Sequence, residues 1–374
     1  MKRARGGLAL ALLAFGASAS AREYPDLFPT PRGLTMGGAL TATATGFDAL
    51  SYNAAGLALN ESSDFMAPEL FSAMGSPAIR DIMTTLGSAD KSQPVAQQLR
   101  AFDGRSASAG VSLLSMRWSK RRFALAFENW TQASLRIRTP SLLFAKVDSR
   151  LTSDIGVSAG YAHAFYGGKV RAGFVFRPAL IRAGFDRRLE SREILDLGSP
   201  TVIQTLGGVG WGVDFDLGAQ GHLDVWKILG TEIKPSWGIA LQNVFESRFP
   251  FRMLKDSFGG DPPALERRVN AGVALSAENT GAFKPTLAVD VRNLLIEAEE
   301  FTERLAVGLE FLFAPRPFFR TTFRGHLSGG NLGGGIGLGF GPTELELGSY
   351  AVNLGRGMGV GVDRRLYGRF ALVW

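Results

Sequence analysis

Hydrophobic and polar residues alternate with a period of two along most of the chain beyond residue 60. In the stretch KVRAGFVFR (169–177), the even positions are all apolar and share one face of an extended chain, whereas both arginines fall on the other face. The same alternation recurs at 209–217, 268–276, 286–292 and 304–313. Stretches of about 9 to 11 residues with this period are typical of strands that cross a membrane at a tilt.

The alternation predicts an all-β fold, a transmembrane antiparallel β-barrel of about 14 strands, an even number as in single-chain bacterial barrels. The predicted strands are 63–73, 106–118, 121–130, 153–165, 168–178, 208–219, 235–245, 267–277, 283–293, 303–313, 317–326, 331–341, 343–352 and 366–374.

The connections between these strands alternate in length. Every second one is short, at 119–120, 166–167, 278–282, 314–316 and 341–342, with the longer segment 220–234 as the exception. The other set contains the long segments 74–105, 131–152, 179–207, 246–266, 294–302 and 353–365. Short periplasmic turns and long outer loops are the pattern of outer-membrane barrels.

The first long connection has a helical pattern over 76–102. Ser76-Pro77 is a helix start signal, apolar residues then recur at helical spacing, and Gly87 ends the run. We expect these helices either to pack on the barrel mouth or to form a lid over a ligand entrance.

The first 21 residues have the design of a secretory signal peptide: a basic start, a short apolar run from Leu8 to Gly16, and small residues at cleavage spacing. The apolar run is shorter than the roughly 20 residues of a membrane-spanning helix. We therefore expect export and cleavage, with the protein reaching the bacterial outer membrane through the periplasm.

Composition narrows the chemistry further. The chain has 374 residues and no cysteine, which excludes disulfides, thiolate metal sites and a lipoprotein anchor. Three basic residues of the signal peptide account for part of the formal charge of +7, so the rest of the chain is about +4. No basic cluster is interleaved with aromatic residues, so nucleic-acid binding is not expected.

The stretch MGGALTATATGFDALSYNAAGLAL (36–59) resembles the N-terminal segment of FadL-like outer-membrane transport proteins, close to their TraF-like and PorV-like branch. The matching positions are Gly38, Ala39, Ala42, Ala44, Asp48, Ala49, Tyr52, Asn53, Ala55, Gly56 and Leu57. Ala54 stands where the family has proline, so the fixed φ of proline is lost there. The stretches 237–245, 285–295, 325–340 and 346–372 also resemble that branch.

The resemblance implies three parts: the signal peptide (1–21), a plug or hatch inside the lumen (22–62), and the barrel itself (63–374). It implies passive uptake of hydrophobic or amphipathic small molecules, such as long-chain fatty acids, which leave sideways through the wall. Outer-membrane lipid and a hydrophobic ligand are the implied partners, and no cofactor is implied. The alternative, as in PorV-like members, is a barrel that docks components for protein secretion or surface attachment.

The end of the chain carries a related signal. Phe370, Leu372 and Trp374 fall on one face of the last predicted strand. This resembles the final strand that the outer-membrane barrel assembly machinery recognises, so we expect that machinery to be a partner.

Candidate site residues follow from these patterns. The plug motif comprises Phe47, Asp48, Ser51, Tyr52, Asn53, Gly56 and Leu57. Glycines on predicted inward faces, at 210, 212, 333, 335, 337 and 339, either admit the plug or serve barrel curvature. The ligand-binding candidates are Arg320 and Arg324, which would hold an anionic head group if uncompensated, and the outer-loop residues Phe249, Phe251, Met253 and Phe258.

An enzymatic function is not expected. His326 and Ser328 have a His-x-Ser order with Asn331 nearby, as in outer-membrane phospholipases, but they lie in a turn where Ser, Gly and Asn are common. The other histidines, His163 and His222, have no metal-ligand spacing.

Overall fold

The structure is a computed structural model that describes residues 26–60, 63–87, 95–139, 146–190, 204–228, 230–278, 280–296, 300–316, 318–354 and 362–374. The predicted signal peptide lies outside these residues. Among the described helices, none is long and apolar enough to cross a membrane.

All described strands belong to one antiparallel sheet. They are β1 (Ser63–Gly75), β2 (Ser106–Ser112), β3 (Ser115–Lys120), β4 (Phe123–Arg138), β5 (Lys146–Phe165), β6 (Val170–Glu190), β7 (Gly208–His222), β8 (Trp226–Ile228), β9 (Thr231–Gln242), β10 (Phe251–Met253), β11 (Arg268–Glu278), β12 (Phe283–Val291), β13 (Leu305–Arg316), β14 (Phe319–Ser328), β15 (Asn331–Phe340), β16 (Thr343–Asn353) and β17 (Val362–Val373).

The sheet closes on itself because β1 pairs with β17. Strands β2 and β3 are the two halves of one barrel strand, since both pair with β1 and with β4. The three-residue strands β8 and β10 only extend the pairing of β9 and β7. The barrel therefore has 14 strands, and the predicted all-β antiparallel barrel and its strand count are confirmed.

The two ends of the barrel differ. The end with the short connections 121–122, 166–169 and 341–342 is called the turn end, and the opposite end, with 76–105, 243–267 and 292–304, is called the loop end. The turn predicted at 314–316 is wrong, because β13 continues to Arg316 and the chain reverses between Arg316 and Phe319.

Strands β4, β5 and β6 are longer than predicted, and they convert much of the predicted loops 131–152 and 179–207 into strand. Their added residues include pairs of opposite charge, such as Arg138 with Asp148 (2.7 Å). The period of two continues there, because Leu135, Ile137 and Val147 lie on the face opposite these charged residues.

Helices follow β1 at the loop end, as predicted for 76–102. They are α2 (Ala78–Gly87) and α3 (Val95–Leu99), followed by a 3-10 turn (Arg100–Phe102). Ile82, Leu99 and Phe102 are buried in one cluster with residues of the long strands β4 to β6. The helices thus pack on the barrel, the first of the two expectations.

The outer face of the wall is apolar. Exposed side chains on that face include Phe127, Ile155, Phe174, Leu217, Ile239, Val273, Leu287, Phe323 and Leu347. Inward positions of the strands include many small, polar or charged residues, such as Ser158, Asp214 and Arg369. An apolar outer band is typical of the outer surface of an outer-membrane barrel.

Residues 26–60 pack against the inward face of the sheet. They form the short helix α1 (Pro31–Thr35) and two 3-10 turns, Gly46–Leu50 and Ala54–Leu59. The hydroxyl of Thr30 accepts a hydrogen bond from the Gly33 N–H, and Pro31 opens the helix where proline is favoured. In the same way, the Asn53 side chain accepts a bond from the Ala55 N–H at the second turn.

Candidate functional site

Residues 26–60, called the inner segment, are tied to strands on several sides of the barrel. Near its start, Asp26 accepts bonds from Arg268 (3.2 Å) and Arg292 (2.7 Å) at the loop end. Farther along, the N–H of Thr41 donates to the Asp290 carboxylate on β12 (2.8 Å). Contacts distributed around the wall hold the segment's backbone in place.

Arg32 adds a charged tie between the inner segment and β13. Its Nε and Nη2 both donate to the Glu310 carboxylate at 2.9 Å, and its Nη1 lies 3.5 Å from Asp48. Burial lowers the pKa of Arg32, but the charges of Glu310 and Asp48 outweigh it, so the pKa stays above its usual value. The guanidinium is therefore a permanent cation within this contact.

Asn53 makes the densest set of polar contacts in the segment. Its Nδ2 donates to the carbonyl of Thr41 (2.7 Å) and reaches the carbonyls of Ala219 (3.0 Å) and Ile239 (3.2 Å) on β7 and β9. The residue is only 2% exposed. One amide thus joins two parts of the inner segment to two neighbouring strands.

Three long inward side chains donate to carbonyls of the segment. Gln220 bonds the carbonyls of Thr41 (3.1 Å) and Ala44 (3.3 Å). Gln242 bonds the Ser51 carbonyl, and Arg177 bonds the Leu50 carbonyl (3.0 Å). A buried chain without regular structure must satisfy its carbonyls in this way.

Glycines admit the segment's backbone at close range. A side chain at Gly218 would collide with Asn53, one at Gly173 with the Ala54 carbonyl, and one at Gly238 with the Thr41 carbonyl. Only Gly335 among the glycines singled out from the sequence meets the segment, at Thr35. Gly210 and Gly212 face the loop 246–266, while Gly333, Gly337 and Gly339 face side chains of the wall.

The structure brings the predicted plug-motif residues together at the wall of β3 to β9. Leu57 is fully buried against Gly160, Gly56 lies on the Ala44 carbonyl, and Tyr52 covers Gly33. Burial raises the pKa of Tyr52 well above its usual value. Phe47 and Asp48 instead border a cavity at the turn end.

An apolar cluster fills the interior between the inner segment and the loop end. It joins buried side chains from the segment, the loop 246–266 and opposite walls, namely Phe28, Met74, Trp130, Leu180, Phe249, Leu265, Tyr350 and Tyr367. It is called the apolar interior. Water-filled barrels have polar interiors, so this composition is unlike that of a solute pore.

The loop 246–266 divides its apolar residues between this interior and the outside. Phe249 is 1% exposed and lies under the guanidinium of Arg182, 5.2 Å from the ring centre. Phe251 is 57% exposed, with its ring centre 4.7 Å from that of Trp211. Met253 is also exposed and Phe258 partly buried, so the four predicted residues do not form one patch.

The wall is interrupted between β2 and β3. Strand structure stops at Leu113-Leu114, where Leu114 has a left-handed φ of 59°, although the Leu114 N–H still donates to the Glu69 carbonyl on β1 (2.9 Å). The side chain of Asn129 on β4 bonds both the N–H and the carbonyl of Leu113. On the inner side, the hydroxyls of Ser112 and Ser115 lie 2.9 Å apart. We call these residues the wall break.

The wall break lies beside the apolar interior. A side chain at Gly110, three residues before Leu113, would meet Trp130 and Met74, which both belong to that cluster.

The predicted head-group residues occupy an ion network. Arg324 donates to Glu310 (2.7 Å) and Glu346 (3.0 Å), and Arg320 is paired with Glu344. Both border a cavity of about 440 Å³ at the turn end, together with Phe47 and Asp48. The sequence predicted that Arg324 would bind an anionic head group if its guanidinium were uncompensated. Because two carboxylates compensate it, that condition is not met.

Arg171 on β6 is the contrasting case. It is 4% exposed, its Nε has no hydrogen-bond partner, and no carboxylate of the described residues pairs with it. Alternation alone had placed it inward, but pairing within a barrel depends on which strands become neighbours, and the sequence signal does not specify that.

The His-x-Ser candidate is used structurally. Nδ1 of His326 donates to the Thr35 carbonyl (2.9 Å) and the ring packs over Gly333, while Asn331 bonds Asn353 (2.8 Å). Within the described residues, no group of three His, Asp or Glu side chains is arranged to hold a metal ion.

Comparison with known proteins gives the following. No protein-family model matches the chain, and no curated protein matches it. Similar folds among solved structures include the CymD monoaromatic hydrocarbon channel (12% identity, 94% of this chain and 98% of that one, TM-score 0.44). They also include the toluene transporter TbuX of Ralstonia pickettii (11% identity, 94% of this chain and 99% of that one, TM-score 0.44). A FadL homologue of Pseudomonas aeruginosa is a third example (9% identity, 93% of this chain and 99% of that one, TM-score 0.39).

The family named from the sequence is thus represented among the similar structures. Because these TM-scores are below 0.5, the likeness says nothing about the ligand.

Proposed function

We propose that the protein is an outer-membrane channel for passive uptake of hydrophobic or amphipathic small molecules, with the inner segment as the plug of its barrel. The observation that carries the proposal is the apolar interior. A hydrophobic molecule gains roughly 25 cal/mol for each Å² of apolar surface that leaves water, and Phe28, Trp130 and Phe249 provide such surroundings. The apolar outer wall and the sequence resemblance support the outer-membrane location.

The path that we propose begins at the exposed apolar residues of the loop 246–266. It continues through the apolar interior. There the buried side chains of Phe249 and Phe28 would rotate to let the ligand pass, because both residues belong to irregular segments and not to strands. It then leaves sideways at the wall break. The inner segment below blocks the direct way to the turn end, so the exit through the wall is the shorter one.

The wall break supports a lateral exit for a physical reason. At Leu113 the ladder toward β4 is replaced by one side chain, Asn129, and toward β1 a backbone bond remains from the Leu114 N–H to the Glu69 carbonyl. Opening there costs a few hydrogen bonds, each with a net contribution of about 1 kcal/mol, instead of a run of ladder bonds.

The secretion-docking alternative is not carried forward. It requires a contiguous apolar patch on the outer loops, and in the loop 246–266 the central residue Phe249 points inward instead.

A reversible crosslink tests the path. Because the chain has no cysteine, Ser112→Cys with Ser115→Cys places a single thiol pair across the wall break. We expect the oxidised protein to lose uptake of a fluorescent fatty acid and of an aromatic hydrocarbon in proteoliposomes, and the reduced protein to regain it. The matched control is Thr131→Cys with Ser153→Cys, whose hydroxyls lie 2.8 Å apart on intact strands; its oxidation should change nothing.

Two outcomes count against the proposal in different ways. Uptake that is insensitive to the disulfide across the wall break would remove the lateral exit while keeping the channel. Absence of uptake for every hydrophobic probe in the unmodified protein, with correct barrel folding, would overturn the function itself.

A further inference from the structure

A groove lies on the outer face of the wall at the turn end of β3, β4 and β5. Its volume is about 760 Å³, within the usual range of ligand sites. The sides and floor are mostly apolar and come from Trp118, Phe123, Leu125, Ala159 and Tyr161. Ala159 is the small residue between larger neighbours, so the wall is hollow there.

Three consecutive cations close the groove at the turn: Lys120, Arg121 and Arg122. All three are exposed, and no carboxylate of the described residues pairs with them. Three other lysines near the turn end do have such partners: Lys169 with Asp224 (2.7 Å), Lys227 with Glu232 (3.8 Å) and Lys234 with Glu278 (4.0 Å). The charge of this turn is therefore available to a ligand.

The turn carries backbone strain at one of the cations. Arg121 has a φ of 53°, in the left-handed region that costs a residue with a side chain about 1 kcal/mol. At other turns of this end, left-handed φ values occur at Tyr166 and at the glycines Gly167, Gly281 and Gly341. Arg122 is in addition oriented by His163, whose Nδ1 accepts from its Nη1 at 3.0 Å.

We propose that this groove binds an anionic phospholipid of the periplasmic leaflet. Its phosphate would lie between Lys120, Arg121 and Arg122, and an acyl chain would run along Leu125 and Ala159. Short turns mark the periplasmic side of such barrels, and aromatic side chains such as Trp118 and Tyr161 concentrate at the level of the head groups. Basic clusters at that level attract anionic lipids. The inference rests on the barrel and its orientation, not on the transport proposal.

Native mass spectrometry of the detergent-purified protein tests this directly. Titration with phosphatidylglycerol and with phosphatidylcholine should show about 100-fold tighter binding of the anionic lipid, from three cations at the surface. The combination of Lys120→Gln, Arg121→Gly and Arg122→Gln should reduce the affinity for phosphatidylglycerol to that for phosphatidylcholine. The matched control is Lys227→Gln, a turn-end cation outside the groove, which should leave both affinities unchanged.

Further arms separate the alternatives. Ala159→Trp fills the groove without changing its charge, so it should weaken the binding of both lipids. A purely electrostatic attraction to the surface would not show this loss. Arg121→Gly alone relieves the strained φ, so it should fold at least as well as the parent and still lose part of the preference. Equal binding of the two lipids, a preference that survives the triple substitution, or full displacement by inorganic phosphate would each overturn the lipid site.

Discussion

At the scale of single residues, Asn53 joins the inner segment to the wall. Its amide replaces contacts that a regular element would make through its own backbone. Removing a partner from a buried hydrogen bond costs about 1–3 kcal/mol, so this residue has a large influence on whether the segment stays in place.

We predict that Asn53→Ala loosens the inner segment and raises leak. The free energy of unfolding should fall by about 1–3 kcal/mol, and conductance of small hydrophilic solutes in planar bilayers should rise. The matched control is Asn331→Ala, which removes a buried amide that bonds Asn353 outside the segment. It should destabilise the barrel without leak, and an unchanged leak in Asn53→Ala would remove this residue from the latch role.

Arg171 leads to the opposite expectation. An unpaired buried cation destabilises a fold unless a partner neutralises it. We therefore predict that Arg171→Met increases the free energy of unfolding, by about 1 kcal/mol or more, measured by denaturant titration in detergent. Arg177→Met, which removes the partner of Asp216 (2.6 Å), should do the reverse. A loss of stability in Arg171→Met would show that a partner holds this guanidinium.

The sequence indicated the positions of some site residues but not the contacts that they make. The resemblance singled out Asn53 and Gly56, and alternation placed Arg324 on the inward face. It did not reveal that Glu310 and Glu346 flank Arg324 while Arg171 has no such partner among the described residues. Strand periodicity fixes the direction of a side chain, whereas its neighbours depend on the register between strands and on the path of the inner segment.

At the scale of elements, the glycines of the wall explain how an irregular segment fits inside a regular sheet. Gly218 faces Asn53 and Gly173 faces the Ala54 carbonyl, at distances too short for a side chain. These glycines belong to strands whose other residues alternate normally, and their partner segment is more than 100 residues away in sequence. Their role was therefore invisible before the fold was known, unlike that of the strands themselves.

We predict that Gly218→Ala displaces the inner segment. The added methyl group would overlap the Asn53 amide, so protease sensitivity of the segment and solute leak should both increase. Gly75→Ala is the matched control, since a methyl group there would have its nearest neighbour at 3.8 Å, the Ser108 carbonyl. Equal behaviour of the two variants would contradict the close-packing argument.

The long strands β4 to β6 show where strand prediction ended too early. Their loop-end halves leave the apolar band, and residues such as Arg138 and Asp148 stabilise them across the strands. They alternate with apolar residues such as Ile137, but so many charged residues resemble the composition of a loop. The helical connection was predictable because α2 and α3 retain one apolar side, which packs on these same strands.

At the scale of the whole molecule, the barrel and the inner segment contribute differently. The wall is held by backbone ladders that close between β1 and β17, whereas the inner segment is held mainly by side chains. The inward faces of the strands carry polar side chains, including Asp290, Gln220 and Arg177. Water would form hydrogen bonds with these side chains if the inner segment were absent.

We predict that deletion of 26–60 leaves a folded barrel with a large, open conductance. The exported protein lacking these residues should keep the heat-modifiable mobility of a closed barrel in electrophoresis, because the ladders are intact. Selectivity for hydrophobic compounds should disappear. A deletion variant that folds but conducts no hydrophilic solutes would show that the segment is not the plug.

The course of the inner segment also constrains the order of assembly. Asp26 is bound at the loop end and β1 starts at the turn end, so the segment runs the length of the interior before the first strand begins. Its ties lie mainly on β6 to β16, which are synthesised later, while β1 waits for β17 to complete the circle. The inner segment therefore depends on strands that are made after it, and all of these strands exist before the seam between the first and last strands can form.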